Sequence, residues 1–319
     1  MNFKIIKNFS QNFKNYNIKQ IEGGASKRNF YKLYNQNNSY IVTDFNNDKS
    51  EYFNYIKIYN ILETINIAVP KIIERNDNDL IIISENFGEL RFDKIIDKYP
   101  LKDLLNYAIE TLVILKNSIK FNSDFQLPQY NFEIFKNEIM ELPQYYFPYI
   151  NINDIDLIKE FSDIWKDAYK DIEFKFNSFA HKDFNINNLL LLPSKKNHLK
   201  CGVIDFQDAF WGESSWDLFS LLEDSRILFS DEHNNNLIEY YYVNTNINIS
   251  FEQFIYKYYF LNSSRQTRLL GRWIKLSKEL NKKMYLDFIP ITMYRLQKSI
   301  NYSKNKNLIK FYTKYIFNQ

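Results

Sequence analysis

The stretch "FAHKDFNINNLLLL" (Phe179 to Leu192) decides how this chain is interpreted. It places His181 two residues before Asp183 and Asn188 five residues after it, with an apolar run directly behind. Asn is abundant throughout the chain, and polar residues in front of a buried strand are also what an ordinary turn contains. The stretch is therefore either a reactive site or a product of composition, and the rest of the sequence has to separate the two.

The same pattern is what phosphoryl transfer needs. That chemistry uses a carboxylate beside the attacking hydroxyl and, a few residues later, an amide oxygen that holds Mg²⁺. A second metal carboxylate is needed after the next hairpin, and Asp205 in "GVIDFQDA" ends such a strand. The residues between, "NLLLLPSKKNHLKCGVIDF", predict that hairpin with a turn from Pro193 to His198. Both motifs in this order favour a site over a composition effect.

A further acidic residue, Asp217, begins the predicted helix "WDLFSLL". A buried carboxylate at a helix start accepts backbone N–H bonds and can stabilise an adjacent loop. An ordinary helix-start acid explains the residue equally well. Asp217 therefore adds weight only in combination with the two motifs before it.

Composition limits the classes of protein that remain. The 319 residues are 45% hydrophobic and 18% aromatic, which suits one large domain or two lobes with a substantial core. A net charge of +3 without a basic stripe gives no reason to expect a nucleic-acid partner. The single cysteine, Cys201, excludes an internal disulfide and a cysteine metal site, and fits a reducing compartment. Since neither a signal-peptide core nor an apolar run of about 18 residues occurs, we expect a cytoplasmic protein without a membrane span.

Hydrophobic periodicity changes from strand-like to helical along the chain. Residues 15–84 predict the order strand, strand, strand, helix, strand, strand, with a hairpin turn at Asn35 to Asn38. From about residue 90 the pattern is mainly helical. This predicts an α+β fold with a small β-rich N-lobe (1–86), a hinge near Glu85 to Gly88, and a large, mainly helical C-lobe (87–319).

The predicted helix of the first lobe has a capping residue and an apolar face. Asp48 or Ser50 is suited to cap its start. The residues expected on its buried face are Phe53, Ile56, Tyr59, Ile61 and Leu62.

The quoted motifs resemble a known group of proteins. "AHKDFNINNLLL", "GVIDFQDAFWGESSWDLFSLLED" and the β-rich segment look like the aminoglycoside phosphotransferase and choline kinase superfamily, whose fold is protein-kinase-like, over nearly the whole chain. Within it, "GGASKRNFYKL", "DLFSLLEDSR" and "SSRQTRLLGRWIKL" resemble the bacterial anomeric kinases that phosphorylate N-acetylmuramate and N-acetylglucosamine at C1 in cell-wall recycling. The resemblance implies an ATP-dependent small-molecule kinase that uses ATP and Mg²⁺, acts on an amino sugar, and is a monomer or weak dimer.

The resemblance also implies a role for each matching residue of the site. Asp183 would be the catalytic base or would orient the acceptor hydroxyl. His181 would brace the loop, and Asp217 would accept the hydrogen bonds that fix it. Asn188 and Asp205 would hold Mg²⁺ between the β- and γ-phosphates.

Candidate cofactor-binding residues belong to the first lobe and the hinge. The turn "GGASKR" would cover the ATP phosphates, because its backbone amides suit phosphate binding, although Gly-Gly between strands is usually only a hairpin turn. The candidates are Gly23, Gly24, Ala25, Ser26 and Arg28, together with Glu85 and Phe87 in the hinge.

The third strand, "SYIVTDF", departs from the kinase pattern because it lacks the Lys that contacts the α- and β-phosphates. Either the protein is a nucleotide-binding pseudokinase or another cation does this work. Arg28 is the main candidate, since Arg grips phosphate with two donors, and Glu51 is a candidate for the helix acid that pairs with it. Lys27 and Lys49 are weaker alternatives.

The acceptor site is less defined by the sequence. Candidate substrate residues are Asp208, Trp211, Glu213 and Arg226, with Arg265 and Arg268 as similar options. Each charged residue of this set is more often part of a structural ion pair, and an aromatic residue such as Trp211 is more often part of the core. An acceptor of another kind, such as choline, an amino alcohol or an aminoglycoside, therefore remains an alternative to the amino sugar.

Overall fold

The architecture comes from a computed structural model of the chain. It describes residues 11–21, 28–122, 125–227 and 230–318.

The chain groups into two units. One contains residues 1–114 and 186–208, and the other contains residues 115–185 and 209–319. The first unit therefore includes the hairpin that follows "HKDFNINN". The division at residue 86, which was inferred from periodicity, stays a prediction.

A five-stranded antiparallel sheet with the order β1-β2-β3-β5-β4 organises the first unit. Its strands are β1 Asn17–Ile21, β2 Asn29–Tyr34, β3 Ser39–Asp44, β4 Ile72–Asn76 and β5 Ile81–Glu85. The predicted hairpin between β2 and β3 forms because the Asn35 side chain accepts hydrogen bonds from the backbone of Asn37 and Asn38, at 2.9 and 2.7 Å. One face of the sheet is buried, and its core residues are Phe13, Tyr31, Leu33, Val42, Ile81 and Ile83.

Helix α1 (Lys49–Glu63) begins where Asp48 accepts a hydrogen bond from the backbone N–H of Glu51 at 2.9 Å. The prediction that Phe53 lies on its buried face is wrong, since Phe53 is 50% exposed. The helical repeat instead buries Tyr52 and Tyr55 together with the predicted isoleucine, tyrosine and leucine positions.

The first unit is completed by a short helix, a long helix and a hairpin. These are α2 (Phe92–Ile95), most of α3 (Leu101–Ser118), and the antiparallel strands β7 (Leu189–Leu191) and β8 (Cys201–Val203). The hairpin joins the rest of the unit through backbone hydrogen bonds of 2.8 Å, from Leu191 to the carbonyl of Leu90 and from Val203 to that of Ala68. The Val203 bond lies at the end of the hairpin that carries the predicted metal ligands, and the Leu191 bond lies nearer the turn.

The second unit is mainly helical. Its helices are α4 Phe132–Ile139, α5 Phe147–Tyr149, α6 Ile155–Lys170, α7 Trp216–Leu222, α8 Asp231–Val243, α9 Phe251–Glu279, α10 Ile289–Tyr302 and α11 Lys306–Tyr312. Strands β6 (Ser178–Ala180) and β9 (Phe210–Gly212) form a two-stranded sheet. The long helix α9 is buried along much of its length and starts with a capping box formed by Ser250 and Gln253.

The antiparallel sheet and the predominantly helical remainder agree with the predicted α+β fold class. No helix in the described part of the chain combines the length and hydropathy needed to cross a membrane. The cytoplasmic location and the oligomeric state stay predictions.

Candidate active site

In the second unit, the loop that follows β6 carries His181, Lys182 and Asp183. His181 is buried, and its ring meets the ring of Phe184 edge-on with 5.7 Å between centroids. Lys182 has a φ of 82° in the left-handed region, which is unfavourable for a residue with a Cβ and is typical of functional sites. Asp183 is half-buried. The loop is thus held in a conformation that needs support from its surroundings.

Asp217 provides that support from the first turn of α7. Its carboxylate accepts hydrogen bonds from the backbone N–H of His181 at 2.7 Å and of Lys182 at 3.1 Å. The indole N–H of Trp216 donates to the carbonyl of Lys182 at 3.3 Å. Burial raises the pKa of Asp217 to about 7, with the charge of Asp183 adding to the rise and the two N–H groups opposing it. Asp217 therefore stabilises the loop that contains His181 and Lys182, in addition to lying in the first turn of α7.

In the first unit, the β7-β8 hairpin brings the predicted metal ligands to one end. Leu189 pairs with Val203, and the N–H of Ile204 donates to the carbonyl of Asn188 at 3.1 Å, so Asp205 follows one residue beyond this bond. Asp205 has a φ of 65°, a second strained backbone position at the site. The next residue, Phe206, is fully buried, with its ring centroid 4.8 Å from that of Tyr55 on α1.

One guanidinium group lies at the centre of this end of the first unit. Arg28 pairs through Nε with Glu51 at 3.1 Å, donates from Nη1 to Gln207 at 3.1 Å, and donates from Nη2 to Oδ1 of Asp205. Gln207 also donates to the same Oδ1 at 3.1 Å. Burial raises the pKa of Glu51, although the charge of Arg28 opposes the rise. Sequence reasoning missed Gln207, which its position two residues after Asp205 could have indicated.

The donor set at this end of the hairpin fits Mg²⁺. Magnesium takes oxygen ligands and is usually bound by one or two carboxylates together with substrate phosphates. Asp205 supplies a carboxylate and Asn188 an amide oxygen. Among the described residues, no group of three or more His, Cys, Asp or Glu side chains could hold a metal ion. Asn188 and Asp205 are the residues that would hold a metal ion here.

The remaining cofactor-binding candidates divide into those that the structure describes and those that it does not. Gly23, Gly24, Ala25 and Ser26, like Lys27, lie outside the described residues. Glu85 ends β5 and is exposed, and Gly88 has a φ of 87°. Phe87 packs against Gly202, where an added Cβ would come within 2.7 Å of the Phe87 ring. Lys49 begins α1.

The four substrate candidates have protein partners of their own. Asp208 accepts a hydrogen bond from Gln207 at 3.2 Å. Trp211 is 2% exposed and packs edge-on against Phe121, and Glu213 accepts from the backbone N–H of Lys175 at 3.0 Å. Arg226 pairs with Asp224 at 2.9 Å. These contacts describe packing, and contact with a substrate stays a prediction for each residue.

Guanidinium groups accumulate around Asp183 within the second unit. Burial lowers the pKa of Arg265 to about 10; the charges of Arg268 and Arg226 act in the same direction, while Asp224 and Asp183 oppose them. Arg268 is bound to Glu138 at 2.6 Å, and its pKa is raised because the carboxylates of Glu138 and Asp183 outweigh burial. Asp183 therefore lies within electrostatic reach of two arginines of α9.

Comparison with known proteins gives a family for part of the chain and relatives for most of it. Residues 155–246 match the family described as "Phosphotransferase enzyme family". A protein of Caulobacter vibrioides named N-acetylmuramate/N-acetylglucosamine kinase is 30% identical over 137 residues, which is 43% of this chain and only 38% of that relative. A protein of the same name from Neisseria meningitidis is 23% identical over 277 residues, 83% of this chain and 79% of the relative.

Solved structures extend the likeness to the whole fold. An ADP-bound aminoglycoside phosphotransferase superposes with a TM-score of 0.65 at 14% identity, covering 97% of this chain and 99% of that one. Choline kinase from Streptococcus pneumoniae superposes with a TM-score of 0.61 at 16% identity, covering 93% and 97%. At such identities the likeness concerns the fold, and it confirms the predicted kinase-like fold class.

These findings confirm the resemblance that the motifs indicated. They support a small-molecule kinase with a hydroxyl acceptor. Residues 155–246 are similar to the phosphotransferase enzyme family, and the chain has the kinase-like fold of aminoglycoside phosphotransferases and choline kinase.

Proposed function

We propose that this chain is an ATP-dependent kinase that transfers the γ-phosphoryl group to a sugar, at the anomeric hydroxyl of N-acetylmuramate or N-acetylglucosamine. The likeness to the Neisseria meningitidis kinase over 83% of the chain supports this acceptor. Choline and aminoglycosides are the competing acceptors, because enzymes acting on them share the fold.

The observation that carries the choice of acceptor is the partly buried guanidinium group of Arg265, which interacts electrostatically with Asp183 inside the second unit. Arg226 and Arg268 are paired with the carboxylates of Asp224 and Glu138, whereas Arg265 donates to the neutral backbone carbonyl of Glu223 at 3.5 Å. Choline and aminoglycosides are cations, and like charges close together in a partly desolvated site repel. A neutral N-acetylated sugar experiences no such repulsion, and a sugar that carries a carboxylate is attracted.

In the proposed mechanism, Asp183 accepts a hydrogen bond from the acceptor hydroxyl and aims its oxygen at the γ-phosphorus. The bond from this oxygen to phosphorus forms as the bond to the β,γ-bridging oxygen of ATP breaks, and the hydroxyl proton passes to Asp183. Asp217 keeps Asp183 in position by binding the two preceding backbone N–H groups. Mg²⁺, when held by Asn188 and Asp205, would neutralise charge on the phosphates.

An assay of ATP consumption over a panel of acceptors tests the proposal. We expect turnover with N-acetylmuramate and N-acetylglucosamine, and none with choline, with an aminoglycoside, or with the methyl glycoside of N-acetylglucosamine, whose anomeric hydroxyl is blocked. Asp183→Asn should lower kcat about 100-fold or more, because the hydroxyl loses its proton acceptor. Turnover of the methyl glycoside would contradict the anomeric position. Turnover of choline alone would overturn the choice of acceptor.

A further inference from the structure

The nitrogen atoms of Arg28 are engaged by three protein side chains on two different segments. Nε pairs with Glu51 of α1, Nη1 donates to Gln207, and Nη2 donates to Asp205. The Arg28 side chain is only 6% exposed. In the usual kinase arrangement, the strand Lys contacts the α- and β-phosphates and pairs with a helix Glu. The pairing with a helix Glu has a counterpart in the Arg28–Glu51 ion pair. The other two guanidinium nitrogens bond to Gln207 and Asp205.

The backbone explains how Arg28 reaches this position. It directly precedes β2, whose first residue, Asn29, pairs with Asp44 at the end of β3. The cation therefore comes from the strand next to the one that carries the Lys in the usual pattern. The ring of Phe30 lies 5.2 Å from the guanidinium carbon, a distance that suits a cation–π contact.

The contacts of Arg28 require a planar guanidinium group, and the single ammonium group of a Lys could not make all of them. A guanidinium offers donors in fixed, divergent directions, whereas a Lys ammonium is a single centre on a flexible stem. Asp205 receives the Nη2 bond at a strained backbone position with a φ of 65°. Its side chain remains 36% exposed. An anchored carboxylate with solvent access on one side is suited to receive a metal ion.

We propose that Arg28 is a positioning residue for the metal carboxylate Asp205 rather than a group that grips the nucleotide phosphates. It couples Glu51 on α1 to the end of the β7-β8 hairpin and fixes the direction in which Asp205 points. This inference rests on the proposed function for the role of Asp205. It predicts that loss of Arg28 reduces the extra nucleotide affinity that Mg²⁺ provides, and that nucleotide binding without the metal stays the same.

Calorimetric titration of ADP, with and without Mg²⁺, tests this for Arg28→Ala, Arg28→Lys and the control Lys32→Ala. Lys32 lies on β2, which Arg28 directly precedes, is 33% exposed, and pairs with the exposed Glu89 at 3.3 Å. In both Arg28 variants we expect the Mg²⁺-dependent tightening of ADP binding to fall about tenfold, while the metal-free Kd changes less than about threefold. The two variants should behave alike because Lys keeps the charge but not the fork. Lys32→Ala should match the wild type.

The opposite pattern overturns the inference. If Arg28 grips phosphate, Arg28→Ala will weaken metal-free ADP binding about tenfold or more, and Arg28→Lys will restore most of it. If Arg28→Ala does not fold, as judged by circular dichroism, Arg28→Lys alone distinguishes the two patterns. The readout needs no acceptor. Wild-type protein that phosphorylates no sugar would therefore remove the proposed function, while the ADP titrations would still decide the role of Arg28.

Discussion

Two carboxylates of the site are held in contrasting ways. Asp217, in the second unit, is 7% exposed, and its carboxylate accepts backbone N–H bonds from the loop that carries Asp183. Asp205, in the first unit, is 36% exposed and is bound by the side chains of Arg28 and Gln207. Backbone donors belong to the fold and cannot leave, whereas side-chain donors can be rearranged when a ligand arrives. The comparison indicates that the loop carrying Asp183, the acceptor loop, is fixed by the backbone, whereas the direction of the metal carboxylate depends on side chains that a mutation or a ligand can rearrange.

The largest expected effect comes from Asp217→Ala. The change leaves two backbone N–H groups without an acceptor in a buried setting, so the free energy of unfolding should fall by about 3 kcal/mol. Displacement of the loop should lower kcat about 100-fold. Chemical denaturation and steady-state kinetics check both values. Asp167→Ala is the control, because that helical acid is 74% exposed and should cost less than about 0.5 kcal/mol. A loss as small as the control's would show that the loop does not depend on Asp217.

The pH dependence of stability tests the burial of Asp217 next. The pKa of Asp217 is raised to about 7 in the folded protein, whereas an unfolded Asp titrates near about 4. The folded state therefore binds the extra proton between these values, and the contribution of Asp217 to stability is present below about pH 4 and lost as pH rises towards 7. Asp217→Asn should remove up to about 1.4 kcal/mol per pH unit of this decline. Unfolding measured from pH 4 to 8 gives the slope, and an unchanged slope would contradict the raised pKa.

Sequence patterns predicted much of the fold because the signals on which they depend are local. Strand and helix periods, the Asn35 turn and the Asp48 cap are local signals, and each appears in the structure where it was expected. The partner of a charged side chain is not a local property. Nothing in the sequence around Arg28 reveals that it meets Gln207, because that contact depends on how the sheet and the hairpin pack. The failure at Phe53 has a related cause, since a helix in an aromatic-rich chain offers several adjacent apolar faces.

An effect of intermediate size is expected at Gly202, which lies on β8 in the hairpin that precedes Asp205. In Gly202→Ala the new methyl group would come within 2.7 Å of the Phe87 ring and 3.1 Å of Leu192. Overpacking of this kind should cost about 1–3 kcal/mol and weaken ADP binding if Phe87 contacts the nucleotide. Thermal unfolding and ADP titration measure the two effects. In a Phe87→Ala background the same substitution should cost less, because the obstructing ring is gone. Equal costs in both backgrounds would exclude the clash as the cause.

The smallest effect on stability should come from Glu51→Gln. This substitution removes the negative charge beside Arg28 and keeps a side chain of the same size. Gln keeps an oxygen for the Arg28 Nε, while Asp205 still provides a carboxylate for the same guanidinium. Burial already raises the pKa of Glu51 and disfavours its charge, so the free energy of unfolding should change by less than about 1 kcal/mol. Because the substitution keeps the contact that holds the Arg28 fork, Asp205 should stay in position, and the Mg²⁺-dependent tightening of ADP binding should change by less than about threefold. A loss of stability as large as that of Asp217→Ala would contradict the comparison. It would show that the fold depends on the contacts of Arg28 as strongly as on those of the loop that carries Asp183.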